Sequence, residues 1–301
     1  MLVGTNMVTY HLPGLFEFYE FYKIFLPLYA EHRDYFYDWC DIGSIYGAPS
    51  DCIWGGGRIE NGQSSVSNVL KLTQEYGISA RLTFSNSLLK KEHLDDKRCN
   101  RICEGFSVYN TVQNGVIVHS DLLSDYLKNQ YPDLYQVSST TKVITDFPQF
   151  EQELRKENFR YVVPDFRLNK EFENLEKLPG ELKKKVEFLC NECCFWACNA
   201  RKACYEAVSR KNLGEDCEHH CVSPDAGSGY SFSKAMANPG FISASQIKNI
   251  YYPMGFTNFK IEGRGLGSAL ILEFILYYMT RPDYQIHVRE KIYLDNMLDL
   301  F

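Results

Sequence analysis

Eight short apolar runs, each closed by polar or turn residues, constrain this chain more than any other feature. They lie at Val8–Leu12, Trp39–Tyr46, Ile78–Phe84, Gly115–His119, Leu134–Val137, Arg160–Val163, Val186–Leu189 and Asn258–Ile261. Between them, Leu15–Ala30, Ser67–Tyr76, a stretch through Tyr126, Phe147–Glu157 and Leu266–Met279 read as helices. Strands that alternate with helices pair in parallel, because a helix returns the chain to the same end of the sheet. Eight such units predict an α/β fold, a closed (β/α)8 TIM-like barrel. An open, doubly wound sheet is the alternative. A chain of 301 residues suffices for one barrel. With no repeat, linker or composition break, residues 1–301 are expected to form a single barrel domain.

The seventh and eighth runs are far apart. Residues 190–257 form an insertion at the C-terminal end of strand seven, the end where barrel enzymes build active sites. This insertion holds seven of the 11 cysteines: Cys190, Cys193, Cys194, Cys198, Cys204, Cys217 and Cys221. The other four, Cys40, Cys52, Cys99 and Cys103, are scattered and read as small buried apolar residues. Without an export signal, a dense thiol cluster points to a metal or to catalysis rather than to disulfides. The pairs Cys194-x3-Cys198 and Cys217-x3-Cys221 would each pinch a metal, giving four thiolates. On a helix, Cys190, Cys194 and Cys198 would share a face. Thiolates suit iron–sulfur clusters and zinc, and His219 or His220 would serve zinc as a substitute ligand. Spacing alone does not choose between them. The Cys-x3-Cys-x2-Cys triplet of enzymes that cleave S-adenosylmethionine is absent.

Hydrophobic residues make up 45% and charged residues 23%, which places the chain among soluble globular proteins. The formal net charge of −6 lacks the basic footprint of a dedicated nucleic-acid binder. No apolar run reaches the roughly 20 residues of a membrane helix; Glu17, Glu20, Lys23 and Glu273 interrupt the two longest. The N-terminal residues lack a basic segment followed by an apolar core, so no signal peptide is read and a cytoplasmic location is expected.

Residues just past the strands should line one mouth: His11, Tyr46, Asn86, His119, Ser139, Asp165, Asn191, Glu192, Glu262 and Arg264. Arg264 is the candidate for a ligand carboxylate or phosphate, which guanidinium binds bidentately. Glu262, Asp165 and His119 are candidate catalytic groups. His11, Asn86, Ser139, Gly263 and Gly265 are candidate substrate contacts. Gly263-Arg-Gly265-Leu-Gly267 follows a strand and opens a helix, a position that suits an anion. A tight turn is its plainer reading, and a Glu262–Arg264 ion pair closing the barrel is the plainer reading of those two. Gly55-Gly56-Gly57-Arg58 lacks the Lys-Ser/Thr of a phosphate-binding loop. The densest basic stretches are Lys183–Lys185 and the group Arg201, Lys202, Arg210 and Lys211. Because Lys and Arg are otherwise spread among acids, a small anionic substrate is favoured over RNA.

Phe259-Lys-Ile-Glu-Gly-Arg264, preceded by Asn238-Pro-Gly-Phe-Ile-Ser-Ala-Ser245, resembles the closing segment of the U32 peptidase (collagenase-like protease) family. Leu189 through Cys198 and Arg201 resemble that family's cysteine-bearing segment, and Ala80-Arg-Leu-Thr-Phe-Ser-Asn86 extends the likeness. The resemblance is strongest over 186–283 and implies a compact, divergent member. Several members of the family hold a 4Fe–4S cluster on four cysteines and support oxygen-independent hydroxylation. It therefore implies a 4Fe–4S cluster on Cys194, Cys198, Cys217 and Cys221, with zinc as the alternative. It also implies hydroxylase-like redox chemistry, served by a redox partner or a family paralogue. The rival expectations are a peptidase or other hydrolase, and a non-catalytic barrel in which metal only staples the insertion.

Overall fold

The structure, a computed structural model, describes residues 7–56, 64–108, 112–224 and 226–293. Eight parallel strands form it: β1 (Val8–Pro13), β2 (Cys40–Gly47), β3 (Ser79–Phe84), β4 (Gly115–Val118), β5 (Tyr135–Ser138), β6 (Phe159–Val162), β7 (Glu187–Leu189) and β8 (Asn258–Lys260). Their order around the sheet is β6-β5-β4-β3-β2-β1-β8-β7. A bridge between Val162 and Val186 brings the two ends together, with the Val162 amide donating to the Lys185 carbonyl at 2.8 Å. The result is the (β/α)8 barrel expected from the sequence, and each strand lies within one residue or so of its apolar run.

Helices fill the connections: α1 (Tyr19–Glu31), α2 (Val66–Glu75), α3 (Lys97–Ser107), α4 (Asp121–Gln130) and α5 (Phe147–Arg155) follow the first five strands. Side-chain oxygens start several of them. Ser65, Asp96, Ser120 and Asp146 each accept a backbone N–H of the first turn of α2 to α5, supplying partners for amides that the helix cannot satisfy itself. Short helices α6 (Phe172–Lys177) and α7 (Gly180–Lys183) precede β7. The insertion contains α8 (Arg201–Asn212), α9 (Phe232–Met236) and α10 (Ala244–Gln246), and α11 (Ser268–Tyr278) and α12 (Gln285–Ile292) follow β8.

Strand periodicity sorts the side chains into two cores. Tyr10, Leu12, Ala80, Leu82, Phe84, Val116, Val118, Phe188 and Phe259 face outward into the layer between sheet and helices. Tyr46, Ile117, Tyr135, Val137, Val163 and Leu189 form a second, inner cluster. The remaining inward positions are polar, and they create the site.

The segment 190–200 is not helical. Asn191 and Glu192 pin it: the Asn191 amide bridges the Glu262 backbone, and Glu192 Oε1 accepts from the Cys194 amide at 2.9 Å. Cys190, Cys194 and Cys198 therefore do not share a helix face. Helix starts only at Arg201.

Candidate functional site

Four charged or titratable groups meet inside the barrel. Glu187 on β7 is fully buried, and its Oε2 lies 2.5 Å from Arg81 Nη1 and 3.5 Å from His11 Nε2; its Oε1 lies 3.5 Å from Lys260 Nζ. Arg81 Nε also donates to the Tyr135 hydroxyl at 2.8 Å, and its guanidinium sits 4.9 Å from the Tyr161 ring centre. Burial alone would raise the Glu187 pKa, but Arg81, then His11 and Lys260, hold it ionised and below the usual carboxylate range. Burial and then Arg81 push His11 down to about 3, so its imidazole is neutral, hydrogen-bonded to Ser44 Oγ at 2.9 Å.

Above this layer opens a cavity of about 500 Å3 at the C-terminal ends of the strands. Tyr46, Thr83, Ile117, Val163, Leu189 and Lys260 come from the strands or their ends, Ser139 to Thr141 from the turn after β5, and Glu262 to Leu266 from the turn after β8. Helix α8 supplies Tyr205, Val208, Lys211 and Asn212. Hydrogen bonds fasten this helix across the mouth. The Asn86 side chain donates to the Ser209 carbonyl, the Ser209 hydroxyl accepts from the Ser87 amide, and Asn212 donates to the Gly55 carbonyl. The insertion is thus a roof over the barrel.

The cavity brings together Tyr46, Ser139, Glu262, Gly263, Arg264 and Gly265 from the residues expected at the mouth. Arg264 Nη2 donates to the Gly56 carbonyl at 2.9 Å, and Nη1 lies 3.6 Å from Glu17 Oε1, so its ion partner is Glu17. Gly263 has φ +149°, and a Cβ there would lie 2.5 Å from Ile271 Cδ1. Only glycine fits that turn without strain. Gly57 and Arg58 lie outside the described residues.

The other expected residues stand beside the cavity. His119 Nδ1 is 2.9 Å from Thr141 Oγ1, which donates to Ser139 Oγ at 2.9 Å, and burial followed by Lys142 pushes the imidazole down to about 4. Asp165 is buried and accepts from Arg167, with Arg201 Nε at 3.4 Å. Arg201 Nη2 pairs with Glu192 at 2.6 Å. Asn86 anchors the roof, and His11 lies in the layer beneath.

The thiols are dispersed in environment. Cys40, Cys52, Cys99 and Cys103 are buried, as are Cys190 and Cys198; Cys193, Cys194, Cys204 and Cys217 are half-buried and Cys221 is exposed. His219 Nε2 lies 3.1 Å from Cys204 Sγ. Among the described residues, no three or more His, Cys, Asp or Glu are grouped to hold a metal ion. Cys194, Cys198, Cys217 and Cys221 as arranged do not fit a four-thiolate centre.

Lys260, Glu187 and Arg81 were not among the sequence candidates. Their signal is a lone charged residue flanked by apolar ones in a buried strand: Arg81 between Ala80 and Leu82, Glu187 between Val186 and Phe188, Lys260 between Phe259 and Ile261. Such alternation means an inward polar face.

No helix among the described residues is long and apolar enough to cross a membrane. No protein-family model matches the chain, and no curated protein matches it. A solved structure described as that of the U32 peptidase Mk0906 is similar to it, with a TM-score of 0.52 and 13% identity over 88% of this chain and 96% of that one. The chain therefore shares the fold of a U32 peptidase structure, as the resemblance of its closing segment implied.

Proposed function

We propose that the chain is an enzyme for a small organic anion bound in the roofed cavity. The observation that carries this reading is the composition of the cavity wall. Arg264, Lys211 and Lys260 share with a single carboxylate, Glu262, the wall of a space of about 500 Å3 whose remaining surface is largely apolar or hydroxylic. That volume suits a metabolite-sized ligand. Arg264 takes the carboxylate or phosphate, and the Ser139–Thr141 hydroxyls orient the body. Glu262 moves protons, its backbone fixed by Asn191.

The basic residues of the insertion support a small ligand over RNA. Arg201 is buried against Glu192 and Asp165, and the exposed Arg210 is paired with Glu215 at 2.8 Å, which leaves Lys202 and Lys211 as the exposed cations of α8 outside an ion pair among the described residues. A phosphate backbone needs several such contacts.

A second reading, hydrolysis, draws on the His119–Thr141–Ser139 chain, a neutral base next to hydroxyls on the cavity wall. Thr141→Ala abolishing turnover while anion binding persists would favour it. Hydroxylase-like chemistry on an iron–sulfur centre requires the thiols to regroup. Iron, sulfide and zinc analysis of anaerobically purified protein decides that point, four irons with sulfide per chain establishing the cluster and one zinc without sulfide a staple.

Calorimetric titration with pyruvate, 2-oxoglutarate and inorganic phosphate tests the anion site. Binding that Arg264→Gln weakens at least tenfold supports it. Equal binding by wild type and Arg264→Gln, with the fold intact, removes Arg264 from the site, and absence of binding by all three anions overturns it.

A further inference from the structure

We propose that Lys260 is a nucleophilic amine that forms an imine with the aldehyde or ketone carbon of an anionic substrate, a 2-oxo acid being the simplest such compound. This rests on reading the cavity as an organic-anion site and adds the carbon that reacts there. Lys260 ends β8, and strand parity turns it inward while its neighbour Phe259 packs in the outer core. The side chain lines the cavity, yet the residue is only 6% exposed.

An ammonium carries three donors. Nζ of Lys260 has no hydrogen-bond partner among the described residues. It lies 3.4 Å from the centre of the Tyr46 ring and at ion-pair distance, 3.5 Å, from Glu187 Oε1. Its donors thus meet only a long ion pair and a ring face, and the amine stands beside an open cavity.

Its surroundings also disfavour the proton. The groups that face it are Glu187 from β7, Arg81 from β3, His11 from β1 and Tyr46 from β2, with Glu262 and Arg264 on the turn beyond β8 and Lys211 on the roof. Glu187 is the nearest anion, but Arg81 sits closer to it at 2.5 Å. His11 is neutral and Arg264 adds positive potential. Burial, against the pull of Glu187 and with the push of Arg81 and Arg264, lowers Lys260 to about 7. A neutral amine in an apolar pocket is the nucleophile that carbonyl chemistry needs.

The step balances without an oxidant or reductant. The Nζ lone pair forms a C–N bond to the carbonyl carbon, the C=O π electrons move to oxygen, and that oxygen takes a proton while nitrogen gives one up. Protonation of the resulting hydroxyl, with Glu262 the carboxyl on the wall, lets it leave as water. A C=N bond to Lys260 remains. The imine is an electron sink for the adjacent carbon, so proton transfer or carbon–carbon cleavage beside a carbonyl is the reaction class that follows.

The test is reductive trapping of the whole chain with pyruvate and sodium cyanoborohydride at pH 7, followed by proteolysis and peptide mass mapping. The expected result is one adduct per chain on the peptide bearing Lys260, formed at least tenfold faster than on any other lysine and absent from Lys260→Met. Adducts spread over exposed lysines such as Lys23 and Lys156, with Lys260 unmodified, overturn the proposal. The wild-type map decides even if Lys260→Met fails to fold. Calorimetry with pyruvate on the same sample separates the two readings. Binding without an adduct on Lys260 removes the imine and keeps the anion site, and no binding with no adduct removes both.

Discussion

Replacing Glu187 by Gln removes the carboxylate with which the buried Arg81, Lys260 and His11 are all paired inside the barrel. Lys260 and His11 adapt to the loss, because both can be neutral near pH 7. Arg81 cannot, since guanidinium keeps its proton. Its residue is 1% exposed, so its charge stays buried with the Tyr135 hydroxyl, the His11 ring nitrogen at 3.5 Å and two ring faces for company. Removing one partner of a buried pair typically costs about 3–5 kcal/mol. With an unfolding entropy of roughly 2.1 cal/mol/K per residue, the 301 residues convert this to a fall in Tm of about 5–8 °C. Urea unfolding followed by circular dichroism and by tyrosine and tryptophan fluorescence measures it. The control is the double variant Arg81→Met with Glu187→Met. It removes both ends of the pair, and it should lie within about 1 kcal/mol of wild type, because apolar side chains of similar volume replace buried ion pairs with little loss. A loss below about 1 kcal/mol for Glu187→Gln alone would refute the reasoning, since it would mean that water reaches the lumen and solvates Arg81.

Other consequences are measurable. Folded-state pKa values near 3 for His11 and 4 for His119 lie below the unfolded value of 6.5. The unfolded chain therefore binds two protons that the native state refuses between about pH 6.5 and 4, and stability falls as pH drops through that window. These two groups contribute up to about 2.7 kcal/mol per pH unit. Replacing both by Asn should flatten a pH series of urea midpoints, and an unchanged series would contradict the burial of the imidazoles. Gly263→Ala forces a side chain onto φ +149° and into Ile271; a loss of about 1–3 kcal/mol is expected, together with weaker anion binding in the same calorimetric titration. Asn86→Ala cuts three bonds, two donated to the Ile53 and Ser209 carbonyls and one accepted from the Leu88 amide. Hydrogen exchange across 201–212 should then rise at least tenfold with little change in the strands, whereas unaltered protection would mean that α8 holds its place without this anchor.

The barrel was legible because its information is local. Each strand is a short apolar run with a polar stop, whereas α3 (Lys97–Ser107) was not read from the sequence, although Asp96 caps it. The closing turn was legible too, since Gly263 and Arg264 sit in a distinctive hexapeptide at a barrel mouth. The charged lumen was not. Arg81 and Glu187 stand 106 residues apart, and nothing in either segment states that they meet; only the closure of the sheet brings β3 opposite β7. The thiols misled the reading of the insertion for a related reason. Their spacing suits a helix, but Asn191 and Glu192 commit their side chains to the Glu262 backbone and the Cys194 amide, and these long-range bonds hold residues 190–200 out of helix. Asp165, expected at the mouth, stands beside the cavity, its carboxylate taken up by Arg167 and Arg201, and the second of these contacts depends on where α8 begins.

The lumen and the mouth form one electrostatic arrangement. A carboxylate at the centre of a barrel could serve either of two cations, and geometry decides which. Arg81 reaches Glu187 at 2.5 Å from the strand across the lumen, while Lys260, on the neighbouring strand, is held at 3.5 Å with its Nζ over Tyr46. The closer partner keeps its charge under all ordinary conditions, so the more distant one can give up its proton. Tyr46 is itself fixed, its hydroxyl donating to the Ile261 carbonyl at 2.6 Å, which holds the ring beneath Nζ. Directly after β8, the turn that begins with Glu262 carries Arg264 to the rim. An amine at the floor, a carboxyl on the wall and a guanidinium at the rim thus come from five consecutive residues, 260–264, and their separation in height follows from strand parity and one glycine turn. The roof helix then supplies what a barrel mouth lacks, exclusion of water, without contributing to the lumen charges. An enzyme built this way would vary its substrate through α8 and the turn after β5 while the chemistry of the 260–264 segment stays fixed.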